Sequence, residues 1–121
     1  LITKELNAQR IVDLTAGFGV DSYFFSHVAY VDAVEPNAEL VALAEHNHRV
    51  LGATIQYQHT DAETFLERTQ PLFDLAFIDP SRRGSHQQRL VRLADCEPDV
   101  TKLQTRIFTK AKYLLIKAAP L

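Results

Sequence analysis

The chain has 121 residues, of which 46% are hydrophobic and 23% charged, and its net charge is −2. This balance is typical of a single globular domain and excludes disordered and collagen-like chains. No apolar run reaches the roughly 20 residues of a membrane helix, and residues 1–10 have neither the apolar core nor the cleavage site of a signal peptide, so we expect a cytoplasmic protein.

Short apolar runs alternate with segments of helical period along the chain, a pattern that predicts a parallel α/β sheet. In chain order we predict a strand (10–16), a helix (21–29), a strand (30–36), a helix (38–51), a strand (55–59), a short helix (62–69) and a strand (73–80). An irregular stretch (81–98), a helix from residue 100 and a fifth strand (112–120) follow. Five strands joined by crossover helices form a doubly wound sheet.

Side chains at the predicted helix ends support these boundaries. Asn37 and Asp99 are typical N-cap residues, and Gly52 is suited to end a helix. Thr60 and Glu63 have the spacing of a capping box. In the helix after Asn37, the period of 3.6 predicts a buried face that consists of Leu40, Leu43, Ala44 and Leu51.

The carboxyl ends of the strands are the candidate ligand site, because doubly wound sheets bind ligands there, near the point where the strand order reverses. The loops after residues 16, 35, 60 and 79 all have an acidic residue nearby. Any one of these acids could be an ordinary helix cap, but a shared site explains the four together better.

The loop after the first strand contains Gly17 and Gly19, and residues 17–22 nearly match the dinucleotide fingerprint G-x-G-x-x-G, with Ser22 in place of the third glycine. A dinucleotide-binding oxidoreductase is therefore one interpretation. Asp13 and Asp21 speak against it, because a pyrophosphate at this helix N-terminus would be repelled by both carboxylates. A ligand with cationic groups and a ribose, such as S-adenosylmethionine, fits an acidic loop better.

These residues resemble the first motif of the class I S-adenosylmethionine-dependent methyltransferases, in which an acid at the end of the first strand precedes glycines at alternate positions. Thr15 replaces the first glycine here. The resemblance implies that Glu35 accepts hydrogen bonds from both ribose hydroxyls, that Pro36 packs on the adenine, and that Asp61 and the Ala62 backbone bind the adenine edge. The implied cofactor-binding residues are Asp13, Thr15, Ala16, Gly17, Gly19, Asp21, Glu35, Pro36, Asp61 and Ala62.

The sequence IDPSRRG at residues 78–84 follows the fourth predicted strand and resembles the D-P-P-R motif of methyltransferases that act on nucleic-acid bases, with Ser81 in place of the second proline. Asp79 and the Pro80 carbonyl are suited to accept hydrogen bonds from an exocyclic amine, and Arg82 to hold a phosphate or stack on a base. We expect these three residues to be catalytic. An aspartate at a strand end followed by solvated arginines is the alternative.

Charge is divided unevenly along the chain. Residues 1–79 contain twelve acidic and four basic residues, whereas residues 80–121 contain nine basic and three acidic ones. This division favours a polyanion at one edge of the fold, although solvated helix faces would produce the same distribution. We therefore expect RNA to be the partner.

The segment from Arg82 to Val100, together with LLIKAAPL, also resembles bacterial methyltransferase-like proteins that carry a THUMP-like RNA-binding domain elsewhere. Members of the broader family continue for two more strands after the fifth, and this chain begins with leucine and contains no methionine. Residues 1–121 are therefore expected to be a partial, Rossmann-like methyltransferase domain, truncated after the fifth strand and cut from a longer protein. A non-catalytic remnant that binds RNA or a partner stays open as a further alternative.

Neither a metal site nor a nucleophilic cysteine is predicted. His46 and His48 lie two residues apart on a helix and point to different sides, so they do not form a metal-binding pair. The single cysteine, Cys96, excludes an internal disulfide, and in an irregular stretch it is expected to be structural.

Overall fold

The structure is a computed structural model that describes residues 7–82, 96–97 and 99–117. Its strands and helices, in chain order, are β1 (Arg10–Asp13), α1 (Val20–Phe25), β2 (Tyr30–Val34), α2 (Ala38–Leu51), β3 (Gln56–Gln58), α3 (Ala62–Arg68), β4 (Phe73–Ile78), β5 (Ser81–Arg82), β6 (Cys96–Glu97), α4 (Val100–Lys110) and β7 (Ala111–Ile116).

Five of the strands form one sheet in the order β3-β2-β1-β4-β7, and every neighbouring pair is parallel. Val12 in β1 pairs with Asp32 of β2 on one side and with Ala76 of β4 on the other. The chain runs outward from β1 to β3 and then returns to place β4 and β7 on the opposite side. The sheet is therefore doubly wound, as predicted, and its topological switch point lies between β1 and β4.

The two faces of the sheet are buried by different helices, because side chains alternate along each strand. Val12 lies in the larger apolar cluster, to which α3 contributes Phe65 and α4 contributes Ile107. Ile11 lies on the opposite face, in a smaller cluster with Leu75 and Phe25 at the end of α1. Each fully buried aliphatic side chain of this kind stabilises the fold by roughly 1.5–3 kcal/mol.

Three predicted caps are confirmed. The Asn37 side chain accepts hydrogen bonds from the backbone N–H groups of Glu39 and Leu40, at 2.9 and 3.2 Å, and begins α2. Asp99 accepts the N–H of Thr101 at 3.0 Å and begins α4. Gly52 ends α2 in the left-handed conformation, with φ +76°.

The predicted capping box of Thr60 and Glu63 is wrong. Asp61 is the N-cap of α3, because its carboxylate accepts the N–H of Thr64 at 2.7 Å and the Thr64 hydroxyl at 2.9 Å. The Asp61 carboxylate, one position later along the chain, therefore caps α3 in place of the Thr60 hydroxyl.

The buried face of α2 also differs from the prediction. The helix buries Val41, Ala44 and His48, whereas Leu43 and Leu51 are exposed. The helix is rotated in this way because His48 packs against Tyr57 of β3 and against the loop after β1.

Several element bounds differ from the predicted ones. β1 ends at Asp13, because the chain turns at Leu14 and Thr15, and α1 ends at Phe25 and is shorter than predicted. The fifth strand of the sheet begins one residue earlier than predicted, with the buried Ala111 as the first residue of β7. The stretch predicted to be irregular (81–98) contains two short strands, β5 near its start and β6 near its end, which pair antiparallel. None of the helices in the described ranges has the length and apolar character to cross a membrane.

Candidate functional site

Acidic side chains gather where the strands end, on the edge of the sheet that contains the switch point. Asp13 is the last residue of β1, Glu35 follows β2, and Asp79 follows β4. Asp61 follows β3 at the start of α3. The structure therefore brings the predicted acids to one edge, and places two of them, Asp13 and Asp79, at the ends of the two strands that flank the switch point.

The loop between β1 and α1 closes tightly over this edge. The Ala16 N–H donates to the Val34 carbonyl at 3.0 Å, and the Gly19 N–H donates to the Ala16 carbonyl at 2.7 Å. Gly17 and Gly19 have φ values of +56° and +83°, in the left-handed region that favours glycine. A Cβ on Gly17 would meet nothing within 4 Å, whereas one on Gly19 would lie 2.5 Å from the His48 ring.

Glu35 supports this loop. Its carboxylate is buried, with Oε1 accepting the N–H of Gly17 at 2.9 Å and Oε2 accepting the N–H of Asn37 at 2.8 Å. Because an ionised carboxylate can accept about four hydrogen bonds, each oxygen keeps a further acceptor site. Glu35 thus links the loop after β1 to the start of α2.

Asp13 is the most deeply buried acid of the site, with 1% of its surface exposed. It accepts the Ser22 hydroxyl at 2.7 Å and the Thr15 N–H at 3.1 Å. Burial raises the pKa of Asp13 to about 6, the nearby carboxylates of Asp21 and Asp79 add to this, and the two hydrogen bonds lower it. Asp13 therefore holds both ends of the loop in place.

Thr15 links the glycine-containing loop after β1 to the sequence IDPSRRG after β4. Its hydroxyl oxygen accepts the backbone N–H of Asp79 at 2.7 Å, which ties the loop after β1 to the end of β4. A glycine at position 15 would have no side chain for this bond. The departure from the glycine pattern therefore has a structural role.

The residues after Asp79 are only partly described. Pro80 is half-buried, and Arg82 lies in β5, where it pairs with Cys96 of β6. Cys96 is thus in a short strand beside the Asp79 motif, instead of an irregular stretch as predicted. Arg83, and the basic residues between it and β6, lie outside the described residues.

Asp21 and Asp79 share a cation that the sequence analysis did not identify. Lys117, which follows β7, places its Nζ 3.8 Å from Asp21 Oδ2 and 3.9 Å from Asp79 Oδ2. Its backbone N–H donates to the Ile78 carbonyl at 2.9 Å. The role of Lys117 could be predicted only from the strand order, because β7 must lie beside β4 for Lys117 to reach this edge.

The predicted adenine-binding residues lie at the ends of β2 and β3. Pro36 is exposed, and its carbonyl is 3.0 Å from Nε2 of His59. Asp61 is exposed, and its hydrogen bonds with Thr64 hold the pKa of its carboxyl below the usual value. Ala62 buries its side chain in the larger apolar cluster and is the first residue of α3, where a backbone N–H has no partner within the helix.

The His48 ring packs against Gly19, and His48 was not predicted to be part of the site. Its ring lies between those of Tyr23 and Tyr57, with 5.7 Å between centroids on each side, and Nδ1 is hydrogen-bonded to the Tyr57 hydroxyl. Burial lowers the pKa of His48, and a hydrogen bond with the Gly19 backbone opposes this. Burial and the carboxylates of Glu45 and Asp13 raise the pKa of Tyr57 to about 12. Both rings are therefore neutral at pH 7.

Metal ligands do not cluster in the part of the chain that the structure describes, where no group of three or more His, Cys, Asp or Glu side chains could hold a metal ion. At the switch-point edge, Asp13 and Glu35 instead accept hydrogen bonds from the protein, and Asp21 and Asp79 pair with Lys117.

No protein-family model and no curated protein matches this sequence. Among solved structures, the chain is similar to a predicted methyltransferase from Porphyromonas gingivalis W83, with 28% identity and a TM-score of 0.75 over 93% of this chain. It is also similar to a predicted methyltransferase from Streptococcus mutans, solved with S-adenosylhomocysteine, with 19% identity and a TM-score of 0.60 over 82% of the chain.

An rRNA methylase from Streptococcus thermophilus is similar at 14% identity, with a TM-score of 0.65 over 90% of the chain. The chain spans 28% of the length of the Porphyromonas protein, and 57% and 61% of the two streptococcal ones. Together these similarities show that the fold is the Rossmann-like fold of class I methyltransferases.

Proposed function

We propose that this chain is an S-adenosylmethionine-dependent methyltransferase domain that methylates a nucleic-acid base, with RNA as the favoured substrate. The observation that carries the proposal is the acidic edge at the switch point, where the carboxylates of Asp13, Asp21 and Asp79 lie around the loop after β1. A cationic cofactor is attracted to such an edge, whereas a pyrophosphate is repelled by it.

The residues present fit this cofactor. Glu35 keeps one acceptor site on each oxygen, which suits the two hydroxyls of a ribose. Asp61 and the Ala62 backbone offer an acceptor and a donor for the adenine edge, and the exposed Pro36 offers an apolar surface for its ring. The solved Streptococcus mutans protein holds S-adenosylhomocysteine in the same fold, which supports this choice of cofactor.

The chemistry needs positioning more than a strong base. When bound, S-adenosylmethionine supplies a methyl group on a positively charged sulfur. Asp79 and the Pro80 carbonyl would orient the target amine by accepting its hydrogens, and the hydrogen bond from the Asp79 N–H to Thr15 fixes that backbone. Holding two reactants in line can lower a barrier by about 7 kcal/mol or more.

A nucleic-acid substrate is supported by the position of Arg82, three residues after Asp79 in the sequence IDPSRRG, and by the excess of basic residues in the last third of the chain. The fold shared with an rRNA methylase is consistent with RNA. The narrower resemblance to proteins with a THUMP-like domain, and the cytoplasmic location, stay predictions.

The dinucleotide alternative is disfavoured by Ser22. In the dinucleotide fingerprint, a glycine at this position allows close packing of helix and strand. Ser22 is fully buried here, and its hydroxyl donates a hydrogen bond to the buried Asp13. A glycine at this position could not provide that bond.

Glu35 provides the test of cofactor binding. We expect Glu35→Ala to weaken the binding of S-adenosylhomocysteine to the full-length protein at least tenfold, because it removes two charge-assisted hydrogen bonds of about 1.5–3 kcal/mol each. Binding is measured by isothermal titration calorimetry. Glu39→Gln, an exposed change in the first turn of α2, is the matched control and should leave the affinity unchanged.

Glu35 also holds the Gly17 and Asn37 N–H groups, so the free energy of unfolding must be measured for each variant. A folded Glu35→Ala protein with unchanged affinity would contradict the assignment. Transfer of a labelled methyl group from S-adenosylmethionine to a total RNA pool then tests activity. Cofactor binding without transfer to RNA, DNA or protein would favour the non-catalytic alternative.

A further inference from the structure

We infer that Lys117 sets the preference of this site between S-adenosylmethionine and its demethylated product, S-adenosylhomocysteine, by competing with the sulfonium for two carboxylates. The inference rests on the proposed function. Its structural basis is one ammonium group shared by Asp21 and Asp79, which belong to different elements at the switch-point edge.

The position of Lys117 is set by the backbone and not only by its long side chain. Its N–H donates to the carbonyl of Ile78, the last residue of β4, so its Cα is held beside the start of the Asp79 motif. The ammonium lies 3.8 Å from Asp21 and 3.9 Å from Asp79. The Lys117 side chain is 59% exposed and those of Asp21 and Asp79 are 34% and 43% exposed, so a ligand can reach all three.

The two ligands differ at this edge by one charge. They share the adenine, ribose, amino and carboxylate groups, and only S-adenosylmethionine has a positively charged sulfur. Carboxylates beside the sulfur therefore favour the cofactor over the product, and an ammonium paired with those carboxylates reduces this preference. Binding S-adenosylmethionine more tightly does not by itself accelerate methyl transfer, because only interactions that are stronger in the transition state do so. A site that limits its affinity for S-adenosylmethionine can therefore keep its rate of transfer.

The expected change in affinity is that of adding or removing one partly exposed charge about 4–6 Å from another. Because these groups are partly exposed, a dielectric close to that of water applies, and adding or removing one such charge then changes the affinity of a cation by about three- to tenfold. A neutral thioether has no charge for this interaction. The ratio of the two dissociation constants is therefore the quantity that Lys117 controls.

The experiment measures both dissociation constants by isothermal titration calorimetry at low ionic strength, on the full-length protein. We expect Lys117→Met to shift the preference toward S-adenosylmethionine about three- to tenfold, and Lys117→Arg to keep the wild-type ratio. Asp21→Asn should shift the ratio in the opposite direction. The shift should shrink in high salt, because these charges are partly exposed.

Lys112→Met is the matched control. Lys112 lies in β7, near the end of the strand opposite to Lys117, is 75% exposed and is 4.0 Å from Asp74, so its loss changes the net charge equally without altering the switch-point edge. The inference is overturned if Lys117→Met and Lys112→Met give the same ratio, or if Lys117→Met weakens both ligands equally. Wild-type protein that binds neither ligand would instead contradict the proposed function itself.

Discussion

Gly19 allows the sharpest test of how the loop after β1 is built. We predict that Gly19→Ala destabilises the protein substantially more than Gly17→Ala, although both glycines belong to the same motif and both have positive φ. The difference should come from the space around each residue, because His48 lies directly against Gly19.

The magnitudes follow from the geometry. A non-glycine residue in the left-handed region costs about 1–2 kcal/mol, and a Cβ on Gly17 would meet nothing within 4 Å, so Gly17→Ala should cost only that amount. A Cβ on Gly19 would lie 2.5 Å from Cε1 of His48 and 3.2 Å from the Tyr57 hydroxyl. Forcing such a fit typically adds about 1–3 kcal/mol. Gly19→Ala should therefore cost about 2–5 kcal/mol in total.

The free energy of unfolding, measured by urea denaturation, checks this prediction. A double-mutant cycle with His48→Ala isolates the clash, because removing the ring makes room for the new methyl group. We expect a coupling energy of about 1 kcal/mol or more between positions 19 and 48. Equal losses for the two glycine variants, or no coupling to His48, would refute this account of the loop.

Two further predictions concern the buried acid and the basic segment. Burial raises the pKa of Asp13 from 3.8 to about 6, so the folded state keeps a proton that the unfolded state has lost, and stability falls as the pH rises through this window. In urea titrations at stepped pH, the stability of wild type relative to Asp13→Asn should therefore fall by about 2 kcal/mol between pH 4 and 7, whereas parallel curves would contradict the assignment. For Arg82 and Arg83, replacing both should flatten the log-log salt dependence of RNA binding by the full-length protein by about 0.7 per lost contact, and an unchanged slope would identify them as a solvated loop.

The fold could be predicted because its signals are local. Apolar runs, the caps Asn37 and Asp99, and the left-handed Gly52 each act within a few residues, and each is confirmed. The cap of α3 was misplaced by one residue, since Thr60 and Asp61 both have side chains that can begin a helix.

The positions of candidate site residues were predictable where the residues end a strand or directly follow one, as Asp13, Glu35 and Asp79 do. Contacts between distant parts of the chain were not, because they depend on which elements become neighbours. Lys117 reaches Asp79 only because β7 pairs with β4, and His48 of α2 packs against Gly19, where a Cβ would lie 2.5 Å from its ring. The roles of the site residues in cofactor binding and transfer stay predictions.

The central claim is that the acidic edge at the switch point binds S-adenosylmethionine and not a dinucleotide. Isothermal titration of the full-length protein with S-adenosylhomocysteine and, separately, with NAD tests it most directly. We predict saturable binding of S-adenosylhomocysteine and no binding of NAD, because the carboxylates of Asp13 and Asp21 repel a pyrophosphate. Binding of NAD without binding of S-adenosylhomocysteine would contradict it.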